Sequence, residues 1–91
     1  MAYSKEDAIE RARADLANRL GVSAGEIKEE SIDEADFPDM ALGAPTKGEM
    51  SGMMITPGWR ITFSAAGKKY EYRANRNQVR LYKFKGANYR L

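Results

Sequence analysis

From Trp59 to Phe84 the chain alternates apolar and polar residues with a period of two, and this pattern limits the fold more than any other feature. Trp59, Ile61 and Phe63 alternate with Arg60, Thr62 and Ser64, and Tyr70, Tyr72 and Ala74 with Lys69, Glu71, Arg73 and Asn75. Successive side chains on a strand point to opposite faces, so each run predicts a strand with one buried and one solvated side. Ala65-Ala66-Gly67-Lys68 between them reads as a short hairpin loop, with Gly67 free to take positive φ. Asn75-Arg76-Asn77-Gln78 reads as the next turn. Val79, Leu81 and Lys83 then alternate with Arg80, Tyr82 and Phe84, and apolar residues on both sides leave the buried face of this strand open. Residues 86–91 read as a loosely held tail.

A strand face of this kind needs a partner, and the N-terminal segment supplies one. Ser4 is a good N-cap, and Ser4-Lys5-Glu6-Asp7 has capping-box spacing. Ile9, Ala12, Leu16 and Leu20 recur at helical spacing with Ala8 widening the stripe, and Gly21 supplies the left-handed residue that stops the helix. Residues 5–20 are therefore expected to form an amphipathic helix whose alanine-rich face lies close on a sheet. Val22-Ser23-Ala24-Gly25-Glu26 repeats the capping spacing but leads only into a short turn.

Extended segments are expected at about 28–34, 50–56, 59–64, 68–75 and 79–84. The first is charged, as suits an edge strand. The second, Met50-Ser51-Gly52-Met53-Met54-Ile55-Thr56, is expected to end at a Pro57-Gly58 turn. The architecture predicted is a single α+β domain over 1–91. One helix packs on one face of a four-stranded antiparallel meander, with a long Pro/Gly/Met loop between the first two strands. Two prolines and two glycines between Phe37 and Glu49 exclude a regular element there. Phe37, Met40 and Leu42 suggest that this loop folds back and packs.

The chain contains neither Cys nor His. That removes disulfides, thiolate nucleophiles, the commonest general base and the commonest transition-metal ligand. No phosphate-binding loop occurs, because Gly48-Glu49-Met50-Ser51-Gly52 lacks the Lys-Ser/Thr ending. Asp33, Glu34, Asp36 and Asp39 form an acidic cluster, but its spacing is not that of a calcium loop, and a solvated edge explains it. No catalytic residue, metal site or cofactor is expected. No apolar run is long enough to span a bilayer. The polar start predicts no export signal, which implies a cytoplasmic location if Met1 is the native start and export if a leader was removed.

Charge is divided along the chain. Residues 1–58 carry six basic and twelve acidic side chains, a sum of −6, whereas residues 59–91 carry nine basic and one acidic, a sum of +8. This implies either attraction between the halves or a basic face for a polyanion.

Two resemblances follow from particular residues. The order of helix, Leu20-Gly21-Val22, strand, Trp59-Arg60-Ile61-Thr62-Phe63 and Lys69-Tyr70-Glu71-Tyr72-Arg73 resembles a PepSY-type module and, more loosely, the cystatin arrangement. Phe37-Pro38-Asp39-Met40-Ala41-Leu42-Gly43-Ala44-Pro45, Thr56-Pro57-Gly58-Trp59-Arg60-Ile61 and Tyr70-Glu71-Tyr72-Arg73 are similar to a family of small prokaryotic domains. That family, often attached to exported proteins or lipoproteins, has the pattern W-P-D-x-x-L-G-C-P, T-P-G-Y-R-I and Y-E-Y-H. Ala44 stands at its Cys and Arg73 at its His, so no thiol or imidazole role carries over. The likeness implies a shared fold, and the PepSY likeness implies peptide binding or peptidase inhibition.

The function expected is a non-catalytic module that binds a protein or peptide through the 37–58 loop, with Phe37, Met40, Met50, Met53, Met54 and Trp59 as candidate contacts. Trp59 also fits simple core closure. The alternatives are a purely structural or accessory domain, or nucleic-acid binding by an outer face lined by Arg60, Lys69, Arg73, Arg76 and Arg80. For that face, plain solvation is the favoured explanation. A monomer or weak dimer is expected, with no membrane span.

Overall fold

A computed structural model describes residues 2–91. Helix α1 spans Lys5–Leu20. The Ser4 hydroxyl accepts the Asp7 N–H, the Asp7 carboxylate accepts the Ser4 N–H, and Gly21 closes the helix at φ 69°. A 3-10 turn over Ala24–Glu26 follows, in which the Glu26 carboxylate accepts the Ser23 N–H and the Glu26 N–H donates to the Ser23 carbonyl. Five strands complete the chain: β1 (Lys28–Phe37), β2 (Thr56–Ala65), β3 (Lys68–Ala74), β4 (Val79–Phe84) and β5 (Ala87–Arg90). They form one antiparallel sheet in sequence order, with β1 and β5 at its edges.

The helix covers one face of this sheet. Ala8, Ile9, Ala12, Leu16 and Ala17 are buried against Ile61, Phe63, Tyr72, Ala74, Val79 and Leu81. The three alanines leave no side chain to hold the helix off the strands, which is why a narrow stripe suffices. One polar bond crosses this core. The Tyr72 hydroxyl donates to Asp15 Oδ2 at 2.7 Å, and Asp15 also accepts from Arg19. Burial, then the bond to Asp15, raise the Tyr72 phenol well above its ordinary 10. A phenolate nucleophile is thereby unavailable.

Three expectations are corrected. The sheet has five strands, not four, because residues 86–91 are not a loose tail. Phe84 pairs with Ala87 across Lys85 and Gly86, both at positive φ (53° and 84°), so a two-residue turn adds β5. The same geometry joins β2 to β3 at Ala66 and Gly67, as expected for Gly67. Met50–Ile55 is not a strand. A strand needs a neighbour, and β1 already pairs with β2 from Lys28↔Ser64 to Phe37↔Thr56. Pro57-Gly58 is not a turn either but lies inside β2. The β2–β3 pairing ends at Trp59↔Ala74, so the missing N–H of Pro57 costs no ladder bond on that side.

Gly58 is required there by close approach. A Cβ at Gly58 would be driven into the Ala74 carbonyl oxygen and would lie 3.1 Å from the Phe37 ring. Gly58→Ala is expected to cost about 2 kcal/mol, the usual scale of overpacking. Gly25→Ala, where nothing lies within 4 Å, serves as the neutral control. Thermal melts of both variants check this, and equal melting temperatures would refute the close-approach argument.

Candidate functional site

The second face of the sheet carries the unusual part of the structure. Register places Asp33, Arg60, Arg73, Arg80 and Arg90 opposite one another in a single row across all five strands. Four guanidinium groups side by side would repel one another. Carboxylates and rings offset them. Glu71 lies 2.7 Å from Arg73 and 3.4 Å from Arg60. Arg73 stacks 3.7 Å from the Tyr82 centroid, and both Arg60 and Arg73 face the Phe37 ring.

Residues 38–49 then roof the Arg73–Arg80 part of this row. Pro38, Asp39 and the glycines shape a compact turn in which Asp39 Oδ1 accepts the N–H groups of Ala41 and Gly43, while Leu42 and Gly43 both take positive φ. The sheet holds the roof mainly by its backbone. Gln78 donates to the Met40 carbonyl, Arg73 to Leu42, Arg80 to Ala44 and Asn88 to Pro45, at 2.7–3.2 Å. Phe37, Ala41, Leu42 and Ala44 form a second small apolar layer beneath the roof, each at most 1 % exposed. At the far end Arg80, 2 % exposed, grips both oxygens of Glu49 at 2.6 and 2.7 Å. The hydrogen bond from Arg80, then that from the Thr46 N–H, hold the Glu49 carboxyl at about 2 instead of 4.5. No buried side-chain nitrogen or oxygen among the described residues lacks a partner.

The candidate residues therefore fall into separate places. Arg73 and Arg80 lie under the roof, while Arg60 stands in the same row with 42 % of its side chain exposed. Lys69 is exposed on β3 and Arg76 on the β3–β4 turn, away from that row. The face read from sequence as a solvated basic surface is thus covered at Arg73 and Arg80 and open at the other three positions. Phe37 is buried under the roof, whereas Met40 is half exposed. Beyond the roof the chain opens out, and Met50, Met53, Met54 and Ile55 stand 97, 84, 63 and 70 % exposed. Ile55 was not singled out by the sequence reasoning, although it continues the same apolar run. Glu49, Gln78 and Asn88 were also missed, and no local pattern marks a residue that clamps a distant carbonyl.

This apolar strip runs into β2 at the rim of an open groove of about 620 Å³. Trp59 and Pro57 give the groove an apolar wall. Glu34, Asp36, Asn75 and Arg76 supply polar groups around it. Trp59 is half-buried and packs on the edge of the helix-side core, leaving part of its surface to the groove. Among the described residues no cluster of Asp or Glu is arranged to hold a metal ion, and no helix is long and apolar enough to cross a membrane.

Fold and site together define a small α+β domain whose sheet lies between a helix and a clamped loop. The chain belongs to the DUF8738 family, a domain of unknown function, which it matches over residues 9–82. No curated protein and no solved structure matches it.

Proposed function

We propose that the chain is a non-catalytic binding module that docks an extended apolar segment of a protein or peptide along Met50–Ile55 and into the groove beside Trp59. The observation that carries this reading is the exposure of Met50, Met53, Met54 and Ile55 within six consecutive residues. A contiguous apolar strip of this kind is typical of interaction surfaces. Unbranched Met side chains adapt to a partner's shape, and an aromatic wall next to the strip offers an anchor. The peptide binding suggested for PepSY-type modules, whose topology the chain resembles, agrees with this reading. The clamped roof fixes the near end of the strip, which lowers the ordering cost of binding.

The test uses Met53→Ser combined with Met54→Ser. Both side chains are solvent-facing, so the melting temperature is expected to stay within about 2 °C of the parent, the scale of a surface change. Peptides selected from a random display library on the parent should then bind the variant at least about tenfold more weakly, a loss of 1.4 kcal/mol. Equal binding to parent and variant, or failure to select any peptide, would sink the proposal. Sedimentation at rising concentration adds one check: strip-dependent self-association would make the partner a second copy of the chain.

A further inference from the structure

Four of the chain's five methionines, Met40, Met50, Met53 and Met54, fall between residues 40 and 54. All four are at least half exposed. Their thioethers are neutral, polarizable donors that need no deprotonation to bind a metal. Donors of this softness select Cu(I) over the hard ions that oxygen ligands prefer. The chain has no Cys and no His, so no thiolate or imidazole competes with them for a soft ion.

The fold brings the distant member of the set to the other three. The Met40 N–H donates to the Gly52 carbonyl at 2.9 Å. The Met40 sulfur lies so close to residue 52 that a Cβ there would sit 2.8 Å from it. Gly52 thus leaves room for a sulfur directly beside the backbone, with Met53 next in the chain and Met50 two residues before. Each Met side chain has three rotatable bonds and no branch, so the exposed thioethers are free to reorient around a bound ion. Charge does not oppose a cation. Arg80 and Arg73, which reach this segment, are paired with Glu49 and Glu71, and Lys47 and Asp39 remain as one charge of each sign.

We infer that Met40, Met50, Met53 and Met54 form a thioether site for a soft univalent cation, Cu(I). The site shares side chains with the docking strip but does not depend on it, because docking uses their apolar, adaptable surface and metal binding uses their sulfur.

That difference decides the experiment. The full chain, labelled with ¹³C at the methionine methyls, is titrated anaerobically with Ag(I) as a redox-inert stand-in, and then with Cu(I) against a colorimetric chelator. The methyls of Met40, Met50, Met53 and Met54 should shift together and saturate at one ion per chain. The combined Met50→Leu, Met53→Leu and Met54→Leu variant keeps side-chain size and apolarity at exposed positions, so it should melt like the parent. Its affinity for Ag(I) should fall at least about tenfold. Unmoved methyls would overturn the site, as would equal Ag(I) affinity in the Leu variant or the same shifts induced by Ca²⁺. Ag(I) binding without any selected peptide would leave the metal site standing and the docking proposal refuted.

Discussion

Arg80→Ala is expected to lower the unfolding free energy by about 3 kcal/mol, the lower part of the range for breaking a buried ion pair by removing one partner. The lower part applies because Glu49 retains 22 % side-chain exposure and can rehydrate, whereas Arg80 has 2 %. The variant also strands the Ala44 carbonyl, which otherwise accepts from Arg80. Urea unfolding measures the loss. Hydrogen exchange locates it, because the Thr46 amide that donates to Glu49 should lose protection before the Ile61 amide in the core. A loss below about 1 kcal/mol would mean that the roof is not held by this pair.

The same clamp sets an acid dependence with a definite sign. Glu49 titrates at about 2 when folded and at 4.5 without its partners. The unfolded chain therefore binds a proton first as pH falls, so the contribution of Glu49 is complete above about 4.5 and is lost between there and about 2. Glu49→Gln should flatten that part of the stability profile in thermal melts from pH 6 to 2. Parallel profiles for parent and variant would refute the assignment.

Phe37→Ala should be comparably costly, about 3 kcal/mol, from lost burial plus the cavity left behind. The ring is 1 % exposed, and the guanidinium groups of Arg60 and Arg73 face it at 5.8 and 5.3 Å. The variant removes both the floor of the roof layer and the surface that helps two like charges lie side by side. A denaturation midpoint close to the parent's would show that Phe37 does not pin the roof. The contrast with the Met53/Met54 double Ser variant is the useful one, since one end of the same loop is structural and the other is free.

Much of this architecture was legible from local pattern. The helix bounds, the Ser4/Asp7 capping box and the Gly67 turn follow from groups that bond within a few residues of themselves, so three or four letters suffice to see them. The alternation at Trp59–Ser64 and Lys69–Asn75 gave the buried face for the same reason. The β4–β5 hairpin was missed although Lys85-Gly86 offers the same turn chemistry as Ala66-Gly67. Its strand is only four residues long, and Asn88, Tyr89 and Arg90 do not alternate cleanly. Met50–Ile55 was misread as a strand because an apolar run is ambiguous until its neighbours are known.

The candidate site was less legible than the fold. Its apolar residues are visible in the sequence, but their exposure is not, because burial depends on what lies across from them. Nothing between residues 73 and 90 indicates that three arginines there share one row, or that Gln78, Arg80 and Asn88 reach carbonyls more than thirty residues away.

The sequence by itself determined the helix, the two central strands and the absence of thiol and imidazole chemistry, since each depends on residue type or short-range spacing. The tertiary structure alone decided that the first half of the Phe37–Ile55 stretch is a roof and the second half an open strip. The physical reason is that the roof is held by backbone carbonyls accepting from side chains on β3, the β3–β4 turn, β4 and β5. Such bonds place almost no demand on the loop's own residue types.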